Sequence, residues 1–206
     1  MLKDLYDYDN SEFVNNLEME GLFVAQQSHS NYAKTILSVP STLNKDYVDT
    51  FAPGLDDSKF WWLMEPFIDH SEVRTLLKSQ GYQTVSFSTN WSLTDMNSAD
   101  IHLAAFPVEL TDFEQYLLQT TPLRLSQPFL QDSASVFTSE TQRRTILHTL
   151  GALDDFVSDP DPVFVFAHIL LPHPPFVLDA EGKPVQSATD FSFKDAEDFE
   201  GSSEEY

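Results

Sequence analysis

Two short stretches of the sequence carry residues that could do chemistry together. Thr35 follows a polar loop, residues 28–34, and opens an apolar run with helical spacing, so its hydroxyl is predicted at a helix N-terminus. His173 lies in the proline-rich segment 171–176, directly after a predicted buried strand. Transfer of a phosphate-like group requires a hydroxyl nucleophile at the positive end of a helix, with a histidine beside it. The two stretches therefore predict nucleophilic attack on an anionic ester.

Simpler structural interpretations of the same residues stay open at this point. Thr35 could be only the N-cap of its helix, and His173 only a surface residue beside a turn. Ser38, in the sequence Ser-Val-Pro-Ser, is a rival nucleophile or a helix serine bonded to a nearby carbonyl. His168 lies inside the apolar run 163–169, which predicts a buried, hydrogen-bonded histidine rather than a ligand.

The elements that must position these residues alternate along the chain. Strands are predicted at residues 22–25, 82–88 and 163–169, the last as a central parallel strand. Helices are predicted at about 11–20 and 35–44, from the cap Ser71 to Lys78 with Val73, Leu76 and Leu77 facing inward, from Thr111, and at about 139–157. Residues 46–66 are predicted to be irregular. Alternating strands and helices predict an α/β sandwich around a mostly parallel sheet.

Composition limits the partners and the chemistry. The 206 residues suit one domain, and the net charge of -22 would repel nucleic acid and anionic membrane surfaces, so neither is expected as a partner. The absence of cysteine excludes disulfides and thiolate catalysis. No apolar window is long enough for a membrane segment in this chain, and no targeting signal is visible. Residues 179–206 are rich in acids and predict a loop or frayed tail of the same domain.

Taken together, the two stretches resemble the alkaline phosphatase superfamily, in the sulfatase-like branch that includes bacterial phosphoethanolamine and phosphoglycerol transferases. Residues 35–40, Thr-Ile-Leu-Ser-Val-Pro, are similar to the Thr-x-x-Ser-Val-Pro segment of the phosphoethanolamine transferases. Residues 173–176, His-Pro-Pro-Phe, are similar to the His-x-Pro-aromatic substrate motif of that branch. The resemblance is greatest to bacterial sulfatase-like membrane proteins, to which residues 5–13, 30–32, 77–82 and 164–176 are similar, and it covers about residues 2–206.

The resemblance implies a fold and an activity. The fold would be a partial α/β/α sandwich of the alkaline phosphatase-like type over residues 1–178. The activity would be that of a metal-dependent hydrolase or transferase acting on small-molecule or lipid-linked phosphate or sulfate esters. Thr35 would be both the nucleophile and a metal ligand, His173 would bind substrate, and the divalent metal would be zinc or manganese. The parent protein would be anchored in a bacterial membrane, with an external catalytic domain.

The sequence also departs from the family pattern. The family has an acidic metal ligand at the end of a strand that precedes the region of Leu2, and a later Asp-His-Gly-type segment, and neither is found here. Thr42 stands where sulfatases that carry formylglycine have arginine. Of the family's metal ligands only Thr35 can be placed, so the chain is predicted to be an internal fragment, inactive as written and without stably bound metal. The alternative is a non-catalytic binding or interaction module on the same scaffold.

Overall fold

A computed structural model describes residues 7–25, 27–55, 61–130, 132–136, 138–156, 161–173, 176–179 and 181–185. Within these ranges the helices are α1 (Ser11–Met19), α2 (Thr35–Asn44), α3 (Val48–Phe51), α4 (Glu65–Asp69), α5 (Glu72–Ser79), α6 (Asp112–Thr120), α7 (Gln127–Leu130) and α8 (Ser139–Ala152). Short 3-10 helices occupy Trp61–Met64, Ser92–Thr94, Pro122–Ser126 and Leu153–Phe156. The strands are β1 (Gln83–Phe87), β2 (Ile101–Leu103) and β3 (Val163–Phe166).

The described strands form one parallel sheet in the order β2-β1-β3. Val85 of β1 stands opposite both Ile101 and Val165, so the three strands are in register across the middle of the sheet. β1 is the central strand, and its residues from Thr84 onward are buried. The prediction of a central strand at 163–169 is therefore wrong in position: β3 is parallel but pairs with β1 alone among the described strands, and its residues are half-buried.

Helices pack against both faces of this sheet. On one face, Leu43 of α2 belongs to a buried cluster against which Phe164 of β3 packs. On the other face, the ring of Phe87 lies 6.4 Å from that of His148 in α8 and 6.1 Å from that of Phe156. The chain is therefore a mixed α/β protein with a small parallel sheet, in agreement with the predicted class.

The chain enters and leaves α2 as the sequence predicts. Lys34 is the N-cap in an extended conformation, and Lys45 ends the helix in the left-handed region with φ 57°. Ile36 and Leu37, in the first turn, are buried in a cluster with Val48. Burial of these two side chains fixes the rotation of the helix and leaves Thr35 on the exposed side.

Two predictions about the first third of the chain are wrong. Residues 22–25 form no strand, and the side chains of Leu22 and Phe23 are 57% and 92% exposed. Four apolar residues in a row carry no periodicity, and no described strand lies beside them to pair with. Residues 46–66 are not irregular throughout, because α3, a 3-10 turn and the start of α4 lie within them.

Helices α5 and α6 begin at the residues predicted from the sequence. The face that α5 buries differs from the predicted one. Ser71 caps α5 by accepting a hydrogen bond from Arg74 N, yet Leu76 is half-exposed and Arg74 is the buried residue of this helix. The Arg74 guanidinium donates to Ser98 Oγ at 2.6 Å and to the Asp69 carbonyl. These hydrogen bonds and the ion pair with the Asp69 carboxylate at 3.5 Å hold the arginine inward, although its buried Nε atom has no hydrogen-bond partner in the described structure.

The predicted acidic tail is only partly described. Leu178 and Pro184 form an antiparallel bridge, and Asp179 N donates to the Lys183 carbonyl at 2.9 Å, so residues 177–179 pair with residues 183–185. Residue 180 and residues 186–206 of the predicted tail lie outside the described residues. In the part of the chain that the structure covers, none of the helices has the length and apolar character needed to span a bilayer.

Candidate functional site

Thr35 is the first residue of α2 and is exposed. The N-cap is Lys34, which makes no side-chain cap hydrogen bond, so the interpretation of Thr35 as the N-cap is wrong. The first amides of a helix have no intrahelical carbonyl partner, and the helix dipole is positive at this end. The Thr35 hydroxyl thus lies where an anionic group would be stabilised, at the position predicted from the sequence.

Ser38, the rival nucleophile, lies one turn further along α2. Its hydroxyl is 2.7 Å from the Ser30 hydroxyl, which in turn donates to the Tyr32 carbonyl at 2.6 Å. Because Ser30 has a single hydroxyl proton and donates it to Tyr32, Ser38 is the donor in the bond between the two serines. The Ser38 hydroxyl therefore fastens the loop before α2, and its partner is a hydroxyl rather than the expected carbonyl.

A loop of buried polar residues follows the central strand. In this strand-end loop, residues 88–95, Asp95 Oδ1 accepts hydrogen bonds from Thr89 N at 2.8 Å and from Thr89 Oγ1 at 2.7 Å. Both side chains are buried. Burial raises the pKa of Asp95 to about 6, although the hydrogen bonds from Thr89 oppose the shift. The loop therefore holds a carboxyl group that titrates near neutral pH.

Asn90 is the least satisfied residue of the strand-end loop. Its backbone is in the left-handed region with φ 62°, and its side chain is 8% exposed. The buried Nδ2 atom has no hydrogen-bond partner in the described structure. An unpaired amide on a strained backbone costs free energy unless a ligand or water meets it, and such groups cluster at binding sites.

His168 links β3 to the strand-end loop. Its Nδ1 atom lies 3.0 Å from the hydroxyl of Thr94, which is fully buried. Burial lowers the pKa of His168, so the ring is neutral at neutral pH. The predicted hydrogen bond is confirmed, but His168 is half-buried rather than buried, and it follows the end of β3 rather than lying within it.

These elements meet at the carboxyl edge of the sheet, where parallel α/β proteins bind ligands. Leu93 of the strand-end loop packs against the cluster of Ile36 and Leu37, the residues that follow Thr35. His168 reaches the same loop from β3. His173 is half-buried and follows in the same segment, while residues 174 and 175 lie outside the described ranges. The convergence of the Thr35 and His173 side chains stays a prediction.

A second polar group joins β1 to β2. Ser86 Oγ lies 2.8 Å from His102 Nδ1, and His102 Nε2 lies 3.0 Å from Glu109 Oε2. The order resembles a serine–histidine–acid triad, but Ser86 is fully buried and donates its proton to the Met96 carbonyl at 2.7 Å. His102 must then donate from both nitrogens, to Ser86 and to Glu109. The group is an ion pair with a protonated imidazole and not an activated nucleophile.

The pKa shifts of the pair agree with this assignment. The hydrogen bond to Glu109 raises the pKa of His102 above its ordinary value, against the effect of burial. Burial raises the pKa of Glu109, but hydrogen bonds from His102 and Ser88 outweigh it and leave that pKa below its ordinary value. Sequence reasoning missed both residues because the three-residue strand β2 was not predicted.

The described residues contain no group of three or more histidine, cysteine, aspartate and glutamate side chains that could hold a metal ion. Thr35 alone would supply a single oxygen, whereas zinc sites use three or four protein ligands. The donor set of the described ranges therefore does not fit zinc or manganese.

The polar residues of the strand-end loop could have been found from one feature of the sequence. Residues 88–90, Ser-Thr-Asn, come directly after an apolar strand, and the carboxyl ends of parallel strands are where α/β proteins bind ligands.

Comparison with family models, with curated proteins and with solved structures found no significant match to this chain. The likeness to the sulfatase-like branch therefore rests on the sequence itself, on the motifs at residues 35–40 and 173–176 and on residues 5–13, 30–32, 77–82 and 164–176.

Proposed function

We propose that the chain is part of an alkaline phosphatase-like domain of the sulfatase-like branch, whose activity is hydrolysis or transfer of phosphate or sulfate esters. The observation that supports this most is the position of Thr35, exposed at the first residue of α2 with no side-chain cap on the helix. A nucleophilic hydroxyl needs this combination of access and positive potential.

The chemistry would proceed through a covalent ester of Thr35. The Thr35 hydroxyl oxygen attacks phosphorus or sulfur in line, loses its proton to solvent, and displaces the alcohol of the substrate. His173 binds oxygens of the group or protonates the departing alkoxide. Water or a second alcohol then attacks the same centre and releases Thr35. No step is assigned to zinc or manganese, because the described residues hold no ligand set for either.

The strand-end loop supplies the contact that the motifs alone do not predict. The unpaired, buried Nδ2 of Asn90 is a hydrogen-bond donor, and Leu93 of the same loop packs against the buried cluster that includes Ile36 and Leu37 of α2. A tetrahedral ester group carries several oxygen acceptors, so it can accept from this amide and from the first amides of α2 together. We therefore assign Asn90 to binding of the ester oxygens.

A non-catalytic binding or interaction module is the second candidate function. The observation that favours it is the missing ligand set within the described ranges, since Thr35 lacks the groups that would activate it. Such a module would still bind an anion at the start of α2 but would form no covalent bond to it.

The two candidates differ in covalent chemistry at Thr35. The chain is incubated with aryl phosphate and aryl sulfate esters, with zinc or manganese added, and both turnover and the intact mass are measured. Thr35→Ala is compared with Thr42→Ala, which removes an exposed hydroxyl from the same helix. Little turnover is expected from this chain. A phosphate or sulfate adduct lost in Thr35→Ala and kept in Thr42→Ala supports the nucleophile, whereas no turnover and no adduct favours the non-catalytic module.

A further inference from the structure

An apolar surface lies on the two helices and the 3-10 turn that follow β2. The exposed side chains of α6 have the i, i+3, i+4 spacing of a single helix face, and the 3-10 turn after it packs against both α6 and α7. The apolar surface consists of Phe113, Tyr116, Leu117, Leu123, Leu125 and Phe129, all exposed. Phe129, at 85% exposure, projects furthest into solvent.

The rotation of α6 about its axis is fixed by its cap and by its buried side chains. Its apolar side therefore faces solvent and not the core. Thr111 and Glu114 form a capping box that starts the helix. The inward side is taken by Gln115 and Leu118, which are buried, and Gln115 Nε2 donates to the Leu110 carbonyl at 3.2 Å. The larger apolar face is therefore the one that points away from the chain.

The apolar surface is electrically neutral in a strongly acidic chain. Residues 113–130 contain Glu114 and Arg124 as their only charged residues, whereas the whole chain carries -22. No described carboxylate lies within ion-pair distance of the exposed Arg124. Depletion of charge together with exposed aromatic residues is typical of protein–protein contacts.

We propose that two copies of this chain associate through the apolar surface around a two-fold axis. In such a pair the same surface is used twice, so Glu114 of one copy can meet Arg124 of the other at both ends of the contact. The exposed face of α6 has the spacing that packs two helices side by side. This association does not depend on the proposed enzymatic activity.

The exposed area is sufficient for a weak dimer. Given the exposed fractions of the three aromatic and three leucine side chains, about 600 Å² per copy, or about 1,200 Å² for the pair, would be removed from water. Stable interfaces begin at roughly this total, so a dissociation constant on the order of micromolar is expected. Two copies of charge -22 repel each other, and salt screens that repulsion, so the dimer strengthens as ionic strength rises.

A lipid bilayer fits the apolar surface less well than a second copy does. Helices that lie in a bilayer interface usually carry lysine and arginine on their polar side. Residues 113–130 offer Arg124 alone, and the charge of -22 opposes approach to anionic headgroups.

The test is sedimentation velocity of the full chain over a micromolar concentration series, at low and at high sodium chloride. The wild type is expected to dimerise, and more strongly at high salt. Phe129→Glu and Leu125→Glu are each expected to weaken dimerisation at least about tenfold. Phe23→Glu is the matched control, because Phe23 is 92% exposed but outside the apolar surface, and it should dimerise like the wild type. Arg124→Glu should also weaken the dimer.

Three outcomes would overturn the proposal. The first is a wild type that stays monomeric at both salt concentrations. The second is a dimer that Phe129→Glu and Leu125→Glu leave intact. The third is a monomer that floats with phosphatidylcholine vesicles through the same residues, which would assign the surface to lipid. Far-ultraviolet circular dichroism of each variant confirms that it is folded, as expected for substitutions at exposed sites.

Discussion

The strand-end loop buries polar side chains, whereas the apolar surface exposes aromatic and aliphatic ones, and each is the reverse of the usual arrangement. In the loop, Thr89, Asn90 and Asp95 are buried, and one of their polar atoms has no partner in the described structure. On the apolar surface, Phe113 and Phe129 face solvent. A buried polar atom without a partner and exposed aromatic rings each cost free energy in an isolated folded chain. This contrast is the reason for the two partners proposed above, a small anionic ligand at the loop and a second copy at the apolar surface.

The largest expected effect concerns Asp95, the acid of the strand-end loop. Because its folded pKa of about 6 lies above the ordinary 3.8, the folded chain binds a proton more tightly than the unfolded chain. This contribution to stability is complete below the ordinary pKa and is lost as pH rises through about 6. Asp95→Asn stays neutral and keeps the acceptor for Thr89, so it should be more stable than the wild type by about 3 kcal/mol at high pH.

The Asp95 prediction is checked by urea unfolding at about pH 4 and about pH 8. The two proteins should have nearly equal stability at the lower pH and should separate at the higher one. Asp49→Asn, at an exposed position, is the control and should show no such separation. A variant less stable than the wild type at high pH would mean that the buried carboxylate is stabilising.

The next effect concerns the hydroxyl of Thr89. Thr89→Val keeps the shape of the side chain but removes the hydroxyl that donates to Asp95 Oδ1 at 2.7 Å and accepts from Trp91 N at 3.0 Å. Loss of these two hydrogen bonds should lower the free energy of unfolding by about 2 kcal/mol. Thr42→Val, at an exposed position of α2, should change it by less than about 0.5 kcal/mol. Equal effects of the two substitutions would show that the loop is not held by this bond.

A smaller effect is expected from the ion pair between β2 and the segment after it. The raised pKa of His102 means that its stabilising contribution is complete below the ordinary pKa of 6.5 and is lost as pH rises through the higher folded value. Glu109→Gln should cost about 1 kcal/mol between pH 4.5 and pH 6.5, the ordinary pKa values of the two groups, because both partners are charged there, and progressively less at alkaline pH. Unfolding measured from pH 4.5 upward tests the sign, and a cost that grows with pH over that range would contradict the ion pair.

The smallest effect on stability belongs to the apolar surface. Phe113→Ser and Phe129→Ser should change the unfolding free energy of the monomer by less than about 0.5 kcal/mol, measured at protein concentrations below those at which it dimerises. The same substitutions should raise the dissociation constant of the dimer. Losses of several kcal/mol in the monomer would show that these rings are part of the core, and the contrast with the loop would then fail.

Local pattern predicts the helices of this chain better than its strands. The start of α2 at Thr35 is predicted by a polar loop followed by an apolar helical turn. The cap at Ser71 is predicted by a serine directly before a helical pattern. Residues 22–25 resemble a strand only in composition, and pairing with another strand decides whether one forms. The strand β2 was missed because three residues give no pattern.

The candidate site could be predicted only in part, because its contacts join distant positions. Thr35 is recognisable from its own neighbours, whereas the bond between His168 and Thr94 joins residues that are 74 positions apart. The pKa of Asp95 depends on burial that no local pattern reports. The spacing of Phe113, Tyr116 and Leu117 identifies an apolar helix face but does not show whether that face meets the core or another molecule.

The central claim, that an anionic ester binds at the start of α2 beside the strand-end loop, can be tested without turnover. Inorganic phosphate and sulfate are titrated into the ¹⁵N-labelled chain, and amide chemical shifts are followed. Saturable shifts are expected for the Thr35 and Ile36 backbone amides and for the Asn90 side-chain amide. Asn90→Ala should weaken the binding. The absence of shifts at Thr35 and Ile36, or shifts confined to residues far from α2, would contradict the claim.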